Sequence, residues 1–286
     1  ENNWAVGRFF FSGVGTRTAS IHNRPAYNSE VHAAGDAGLV ALTNAYVDAQ
    51  LADTILIVGA NPYETQTNYF LNHMIRNLNG ESADLKGSTF PGEDAPSGRM
   101  IIVDPRRTIS VATAEAAAGK ENVLHLQIEP GTDIAVLNAI SRIVLERRWH
   151  DVAFIKQRTE WQTFEAYQRS SLGADRDASE FVRVAAELAG VDEKDLYKAA
   201  EWIAKPKKNK ARRRTLLHYE KGLIWGLKNY ENIASIIDLA LLSGNVGKPG
   251  TGVSRLGGHQ EGYVRPPYPG GRPALNVDEA VHRGEA

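Results

Sequence analysis

The sequence contains no cysteine, so it has no disulfide, no thiolate metal ligand and no cysteine nucleophile. It also lacks an apolar run long enough to span a bilayer. Neither sign of charge is in excess, because 33 Lys and Arg face 34 Asp and Glu. That balance gives no general attraction to nucleic acid or to an anionic membrane. What the 286 residues do have is a hydrophobic fraction of 42%, which is typical of a globular protein with a buried core.

Short β-branched apolar runs alternate with longer segments of helical spacing. The runs predict buried parallel strands at residues 54–59, 100–104, 123–128 and 215–219. Apolar residues at helical spacing predict helices at residues 31–50, 133–148, 177–190, 192–204 and 229–242. This alternation predicts an α/β fold with a doubly wound, mostly parallel sheet and helices on both faces.

Two stretches interrupt the pattern. Residues 80–98 are rich in Gly, Pro, Ser and Asp, which predicts a surface loop. Residues 205–214 carry seven Lys and Arg and no acid. This stretch is either a patch for anions or nucleic acid or a solvated loop before a strand, and the neutral remainder of the chain favours the loop.

The ends of three predicted strands carry residues that suit a nucleotide. Gly59 would let backbone approach a ligand closely, and Thr65 would cap the next helix, whose N-terminus favours phosphate. Asp104 would accept from ribose or a base edge, and Arg106 would pair with phosphate. In residues 129–133 a carboxylate at a helix start would accept two hydrogen bonds from guanine.

Each of these motifs has a plainer alternative, because an Asp at a strand end is often a helix cap or a turn residue. Together, at successive strand ends, they predict a nucleotide site without the Gly-x-Gly-x-x-Gly loop. Two polar segments, residues 20–30 and 255–263, add candidate binding groups. Their alternatives are a loop histidine bonded to backbone at His22 and a surface salt bridge at Arg255.

Longer strings in these segments carry a family resemblance. Asn-Arg-Pro-Ala-Tyr-Asn-Ser-Glu at residues 23–30 and Gly-Gly-His-Gln-Glu-Gly-Tyr at residues 257–263 resemble the large subunit of arsenite oxidase. That subunit is in the bis-molybdopterin guanine dinucleotide (dimethyl sulfoxide reductase) superfamily. The resemblance covers nearly the whole chain, and it includes superfamily cofactor segments at residues 59–69, 103–106, 130–133 and 244–252.

The resemblance implies a site. Four polar residues match those that line the arsenite pocket beneath molybdenum: His22, Glu30, Arg255 and His259. Ala26 falls where many relatives supply a metal ligand, so no protein ligand is expected and the cofactor dithiolenes would hold the metal. The residues expected at the cofactor are Asn23, Ala26, Gly59, Asn61, Pro62, Glu64, Thr65, Asp104, Arg106, Gly131, Asp133, Lys221, Gly222 and Gly258.

The resemblance also implies domain boundaries and partners. Residues 1–20 and 259–286 would belong to a neighbouring domain, and residues 21–258 would form the α/β cofactor-binding domain. The chain would be the central portion of a periplasmic enzyme, inactive alone, whose iron–sulfur ligands lie elsewhere in the full-length subunit. A Rieske-type small subunit and a cytochrome c or azurin acceptor are expected partners.

Three other functions remain open from the sequence. One is a superfamily oxidoreductase that acts on a different oxyanion. The second is a cofactor-fold subunit without catalysis, and the third is a plain nucleotide-binding module.

Overall fold

The computed structural model describes residues 8–16, 33–39, 43–94 and 96–256. The chain divides into two compact units, one of them Ser29–Gly258 and the other made of Glu1–Asn28 and His259–Ala286. In the described part of the second unit, Arg8–Val14 forms a π-helix. The other described residues lie in Ser29–Gly258.

A five-stranded parallel sheet forms the centre of this unit. Its strands are β1 (Thr54–Val58), β2 (Arg99–Val103), β3 (Val123–Leu126), β4 (Thr215–Tyr219) and β5 (Gly252–Arg255), in the order β3-β2-β1-β4-β5. The described pairings are all parallel. The four predicted strands are confirmed, whereas β5 was not predicted because it has only one apolar residue.

Eight helices of seven residues or more lie in the described part of this unit. They are α1 (Ala83–Thr89), α2 (Ile109–Ala118), α3 (Asp133–Glu146), α4 (Val152–Arg158), α5 (Trp161–Ser170), α6 (Ala178–Ala189), α7 (Glu193–Ala204) and α8 (Asn229–Leu242). Shorter helical pieces are Asp48–Leu51, Pro62–Thr65, Thr67–Tyr69, Phe70–Ile75 (π), Arg76–Leu78, Lys120–Asn122 (3-10) and Lys221–Ile224. Four predicted helices are confirmed as α3, α6, α7 and α8, but α1 lies inside the segment predicted to be a loop.

The prediction of one helix over residues 31–50 is wrong. Its described residues contain a helical turn at 33–36 and then the short helix Asp48–Leu51. Gly38 ends the first piece with φ of +75°, which an α-helix cannot accommodate. Thr43 is bonded instead to strand β5: its hydroxyl donates to Val253 O and accepts from Val253 N, each at 2.7 Å.

Helices cover both faces of the sheet, as predicted. On one face, alternate strand residues such as Ile55 and Ile102 pack with Met74 and with Val111 of α2 in a buried core. On the other side α7 contacts β3 and α8 contacts β4 and β5, while α3 packs against α6, α7 and α8. Because the strand order reverses between β1 and β4, the ligand-binding crevice of this fold lies at their carboxyl ends.

The basic stretch 205–214 is held by carboxylates at the amino ends of β1 and β4. Lys207 Nζ lies 2.8 Å from Asp53 Oδ1 and 3.5 Å from Glu93 Oε2. Arg214 donates from both terminal nitrogens to Glu93, at 3.0 and 2.6 Å. We call these four residues the amino-end ion cluster. The stretch is a loop before β4, as the favoured alternative predicted, and these ion pairs hold two of its seven basic residues.

No helix in the described part of the chain combines the length and the apolar character needed to cross a membrane.

Candidate functional site

The carboxyl ends of the five strands bring most of the described candidates to one edge of the sheet. Gly59 follows β1 and Asp104 follows β2, while residues 129–133 come after β3. Lys221 lies two residues beyond β4, and Arg255 is the last residue of β5. The candidates outside the described residues are His22, Asn23, Ala26, Glu30, Gly258 and His259, and their roles stay predictions.

Two glycines bring the ends of β1 and β4 into backbone contact. Gly59 has φ of +62°, and its carbonyl accepts from Gly222 N at 3.0 Å. A Cβ at Gly59 would lie 2.6 Å from Leu223 N, and one at Gly222 would lie 2.7 Å from Gly59 Cα. Gly59 therefore makes a close backbone contact with the segment after β4, and its approach to a ligand stays a prediction. Neither position has room for a side chain.

The segment after Gly59 is held by Asn61. Its Nδ2 donates to Glu64 Oε2 at 2.6 Å, and its Oδ1 accepts from Ser110 Oγ of α2 at 2.6 Å. Thr65 was predicted to cap the next helix, and this is wrong. Thr65 is the last residue of the short helix Pro62–Thr65, and its hydroxyl donates back to Asn61 O at 3.1 Å. Sequence reasoning missed Ser110, which carried no motif.

At the end of β2, Asp104 acts as a turn residue, which was its plainer alternative. Its Oδ1 accepts from Arg106 N at 2.8 Å, and its side chain is buried. The Arg106 side chain is 77% exposed, so its guanidinium faces solvent and is open to an anion. Close by in sequence, the hydroxyl of Thr108 is buried without a hydrogen-bond partner among the described residues.

At the end of β3, Asp133 begins α3 and is buried. Burial raises the pKa of its carboxyl, its own backbone N–H lowers it, and the charge of Asp104 raises it further. Two residues before it, Gly131 has φ of +88°, and a Cβ there would meet nothing within 4 Å. A buried carboxylate therefore begins α3, two residues after a glycine whose Cβ position is open.

Beyond β4 and β5, Glu220 and Arg255 form a buried ion pair, and each is 6% exposed. Arg255 Nε donates to both carboxylate oxygens at 3.2 Å, and Nη2 donates to Oε1 at 3.2 Å. Lys221 Nζ lies 3.8 Å from the same Oε1. We call these three residues the carboxyl-edge ion cluster.

The alternative of a surface salt bridge at Arg255 is wrong, because the pair is buried. Sequence reasoning missed Glu220 altogether. The signal was present, since Glu220 is an acid directly after a strand, as Asp104 is.

Nearly the whole chain matches a family model and known oxidoreductase subunits. A family model described as molybdopterin oxidoreductase matches residues 3–278. Arsenite oxidase subunit AioA of Herminiimonas arsenicoxydans is 48% identical over 285 residues, which are 100% of this chain and 33% of that protein. Iodate reductase subunit IdrA of Denitromonas iodatirespirans is 29% identical over 319 residues, covering 99% of this chain and 33% of that protein.

Among solved structures, acetylene hydratase from Pelobacter acetylenicus matches with a TM-score of 0.46 and 16% identity, over 75% of this chain and 25% of that one. The chain spans about a third of the length of the curated relatives that it matches. Since the family model covers nearly every residue, from 3 to 278, the chain belongs to the molybdopterin oxidoreductase family.

Proposed function

We propose that the protein to which this chain belongs oxidises arsenite to arsenate at a molybdenum centre held by bis-molybdopterin guanine dinucleotide. The observation that carries the proposal is the 48% identity to arsenite oxidase subunit AioA, which runs over the whole chain. The resemblance of residues 23–30 and 257–263 to the arsenite oxidase branch supports it.

The residues at the carboxyl edge of the sheet fit the nucleotide part of such a cofactor. Asp133 offers a buried carboxylate that can accept from the N1–H and N2–H₂ donors of guanine, and Gly131 leaves the adjacent space open. Arg106 has an exposed guanidinium that suits phosphate. Asp104 shapes the turn that presents Arg106, because its carboxylate accepts from the Arg106 backbone N–H.

When bound, the molybdenum cofactor supplies oxygen-atom transfer, in which arsenite gains an oxygen derived from water and releases two electrons. Near neutral pH arsenite is an uncharged trihydroxide, so hydrogen bonds rather than a salt bridge must hold it. We assign Arg255 to stabilising the negative charge that grows as arsenite becomes anionic arsenate. His22 and His259 are assigned to hydrogen bonds with arsenite, and Glu30 to accepting an arsenite proton.

The remaining assignments rest on family resemblance. We propose that the full-length subunit carries an iron–sulfur cluster, works in the periplasm with a Rieske-type small subunit, and passes electrons to cytochrome c or azurin. We also propose that this chain alone does not turn over, since it matches only 33% of the arsenite oxidase subunit.

The proposal is tested with the full-length subunit purified together with its partner subunit. We expect arsenite-dependent reduction of an electron acceptor, formation of arsenate, and molybdenum in the purified protein. The 29% identity to the iodate reductase subunit IdrA makes iodate the competing substrate. Iodate reduction without arsenite oxidation would overturn the assignment, and arsenite oxidation by protein free of molybdenum would overturn the cofactor.

A further inference from the structure

The position of Glu220, directly after β4, is fixed by the two neighbouring strands β1 and β5. Its backbone N–H donates to Val58 O of β1 at 3.2 Å. Tyr219, just before it, pairs with Arg255 of β5, and Tyr219 O accepts from Leu256 N at 2.8 Å. The carboxylate is therefore presented from a backbone that is fixed on both sides.

The contacts between Glu220 and Arg255 set the plane of the guanidinium. Nε and Nη2 lie on one edge of the group, and both donate to the carboxylate at 3.2 Å. Nη1 consequently lies on the side away from Glu220. A guanidinium bound along one edge keeps a single orientation, which a lone long side chain does not.

Burial strengthens the electrostatic interaction between Glu220 and Arg255. Glu220 and Arg255 are each 6% exposed, so water screens their charges poorly. Lys221 Nζ, 3.8 Å from the Glu220 Oε1 atom, is a second cation beside the same carboxylate. Glu220 therefore lies beside two basic groups and offsets part of their positive charge.

We propose that Glu220 is a positioning residue that orients Arg255 and offsets its charge, so that the site accepts a neutral oxyacid and releases its anionic oxidation product. This inference rests on the proposed function, because arsenite is uncharged near neutral pH and arsenate is an anion. An arginine without its acid would bind arsenate more strongly than arsenite and would slow product release. With Glu220 in place, Arg255 donates hydrogen bonds while its net attraction for an anion is reduced.

The test is Glu220→Gln in the full-length, molybdenum-loaded enzyme with its partner subunit. Gln keeps the size of the side chain and removes the negative charge. We expect the inhibition constant of arsenate to fall by about tenfold, since one pairing charge is lost in a poorly screened place. The KM for neutral arsenite should change by about threefold or less, because an uncharged substrate interacts only weakly with the added net positive charge.

Arsenate binding to the resting enzyme is measured as well, by isothermal titration calorimetry. This readout does not depend on turnover. The matched control is Glu93→Gln, which removes a carboxylate from Arg214 at the opposite end of β4 and should leave arsenate affinity unchanged. Glu220→Asp keeps the charge, so its arsenate affinity should stay near that of the wild type.

The possible outcomes distinguish a failure of the role proposed for Glu220 from a failure of the proposed function. Arsenite turnover with unchanged arsenate affinity in Glu220→Gln would overturn the role of Glu220 and leave the proposed function standing. A wild-type enzyme that does not oxidise arsenite would instead reject the proposed function. If Glu220→Gln does not fold, Glu220→Asp decides, and arsenate bound about tenfold more tightly by this charged variant would contradict the proposal.

Discussion

Strand β4 has an ion cluster at each end, and the two clusters differ in burial: Glu220 and Arg255 are buried, whereas Glu93, Lys207 and Arg214 are partly exposed. The amino-end ion cluster pairs two carboxylates, Asp53 and Glu93, with two cations, Lys207 and Arg214. The carboxyl-edge ion cluster sets one carboxylate against two cations. At the amino end the ion pairs join two loops of the chain. The carboxyl-edge ion cluster stands where parallel sheets bind ligands, so we propose a binding role for it and a structural role for the amino-end ion cluster.

The largest effect that would test this contrast is expected from Arg255→Gln in the full-length enzyme. The substitution leaves Glu220 buried without its main cation, which should lower the free energy of unfolding by about 3–5 kcal/mol. It should also lower kcat/KM for arsenite by about 100-fold, as loss of a charge-stabilising donor does. Thermal unfolding and steady-state kinetics on molybdenum-loaded protein measure the two effects.

The double variant Arg255→Gln/Glu220→Gln separates the effect on stability from the effect on activity. It should recover much of the stability, because no unpaired charge remains, but not the activity. Recovery of activity together with stability would show that Arg255 acts only as a structural residue.

A smaller effect is expected near the carboxyl end of β4, where His218 is buried two residues before Glu220. Its Nε2 lies 2.9 Å from Tyr69 Oη, and its Nδ1 lies 3.1 Å from Ser254 O. Burial lowers the pKa of His218 to about 4, against a bond to Ser254 that raises it. The unfolded chain therefore binds more protons between pH 4 and 6.5. The contribution of His218 to stability, roughly 3 kcal/mol, is present above pH 6.5 and is lost as the pH falls through that window.

Hydrogen–deuterium exchange of β4 peptides in the full-length enzyme, compared between wild type and His218→Gln at several pH values, measures this contribution. Comparison with the variant is needed because burial raises the pKa of Asp238 on α8 to about 6, which works in the opposite direction. Equal pH dependence of β4 protection in the two proteins would contradict the assignment.

The smallest effect is expected at the amino end, from Glu93→Gln. Hydrogen bonds from Arg214 chiefly lower the pKa of the Glu93 carboxyl, and its burial opposes them. The pairing therefore stabilises the fold at neutral pH and is lost as the pH falls. Since Glu93 is partly exposed, the substitution should lower the free energy of unfolding by about 1–2 kcal/mol without changing the KM for arsenite. A changed KM would remove the distinction between the two ends of β4.

The strands were predictable because burial on both faces leaves continuous apolar runs, as in Thr54–Val58. Strand β5 was not, since a short edge strand needs few apolar residues and its pairing depends on β4, 36 residues earlier. The helix expected over residues 31–50 failed because Thr43 gains two hydrogen bonds from β5 that local spacing does not reveal. Local periodicity indicates the secondary structure that a segment would prefer in isolation. The structure of these two segments depends instead on contacts with residues that are distant in the sequence.

The residues of the candidate site show the same difference between local patterns and distant contacts. Asp133 and Gly131 were found because a strand end followed by a helix start is a local pattern. Glu220 was missed because its importance comes from a contact with Arg255, which only the β4–β5 register creates. Gly59 was singled out for approach to a ligand, which stays a prediction, and no local signal indicated its close backbone contact with Gly222.

The contact between Thr43 and Val253 also bears on how copies of this protein avoid one another. An outer strand with unsatisfied backbone groups is a template on which another chain can add a strand. At Val253 both backbone groups are occupied by one threonine hydroxyl, and a Cβ at Gly252 would lie only 2.7 Å from Asn44 Cβ, so there is no room there for a second backbone. Among the described residues, a side chain from a non-strand segment thus takes the place of a further strand at Val253, and this should disfavour pairing of a second chain beside the strand that carries Arg255.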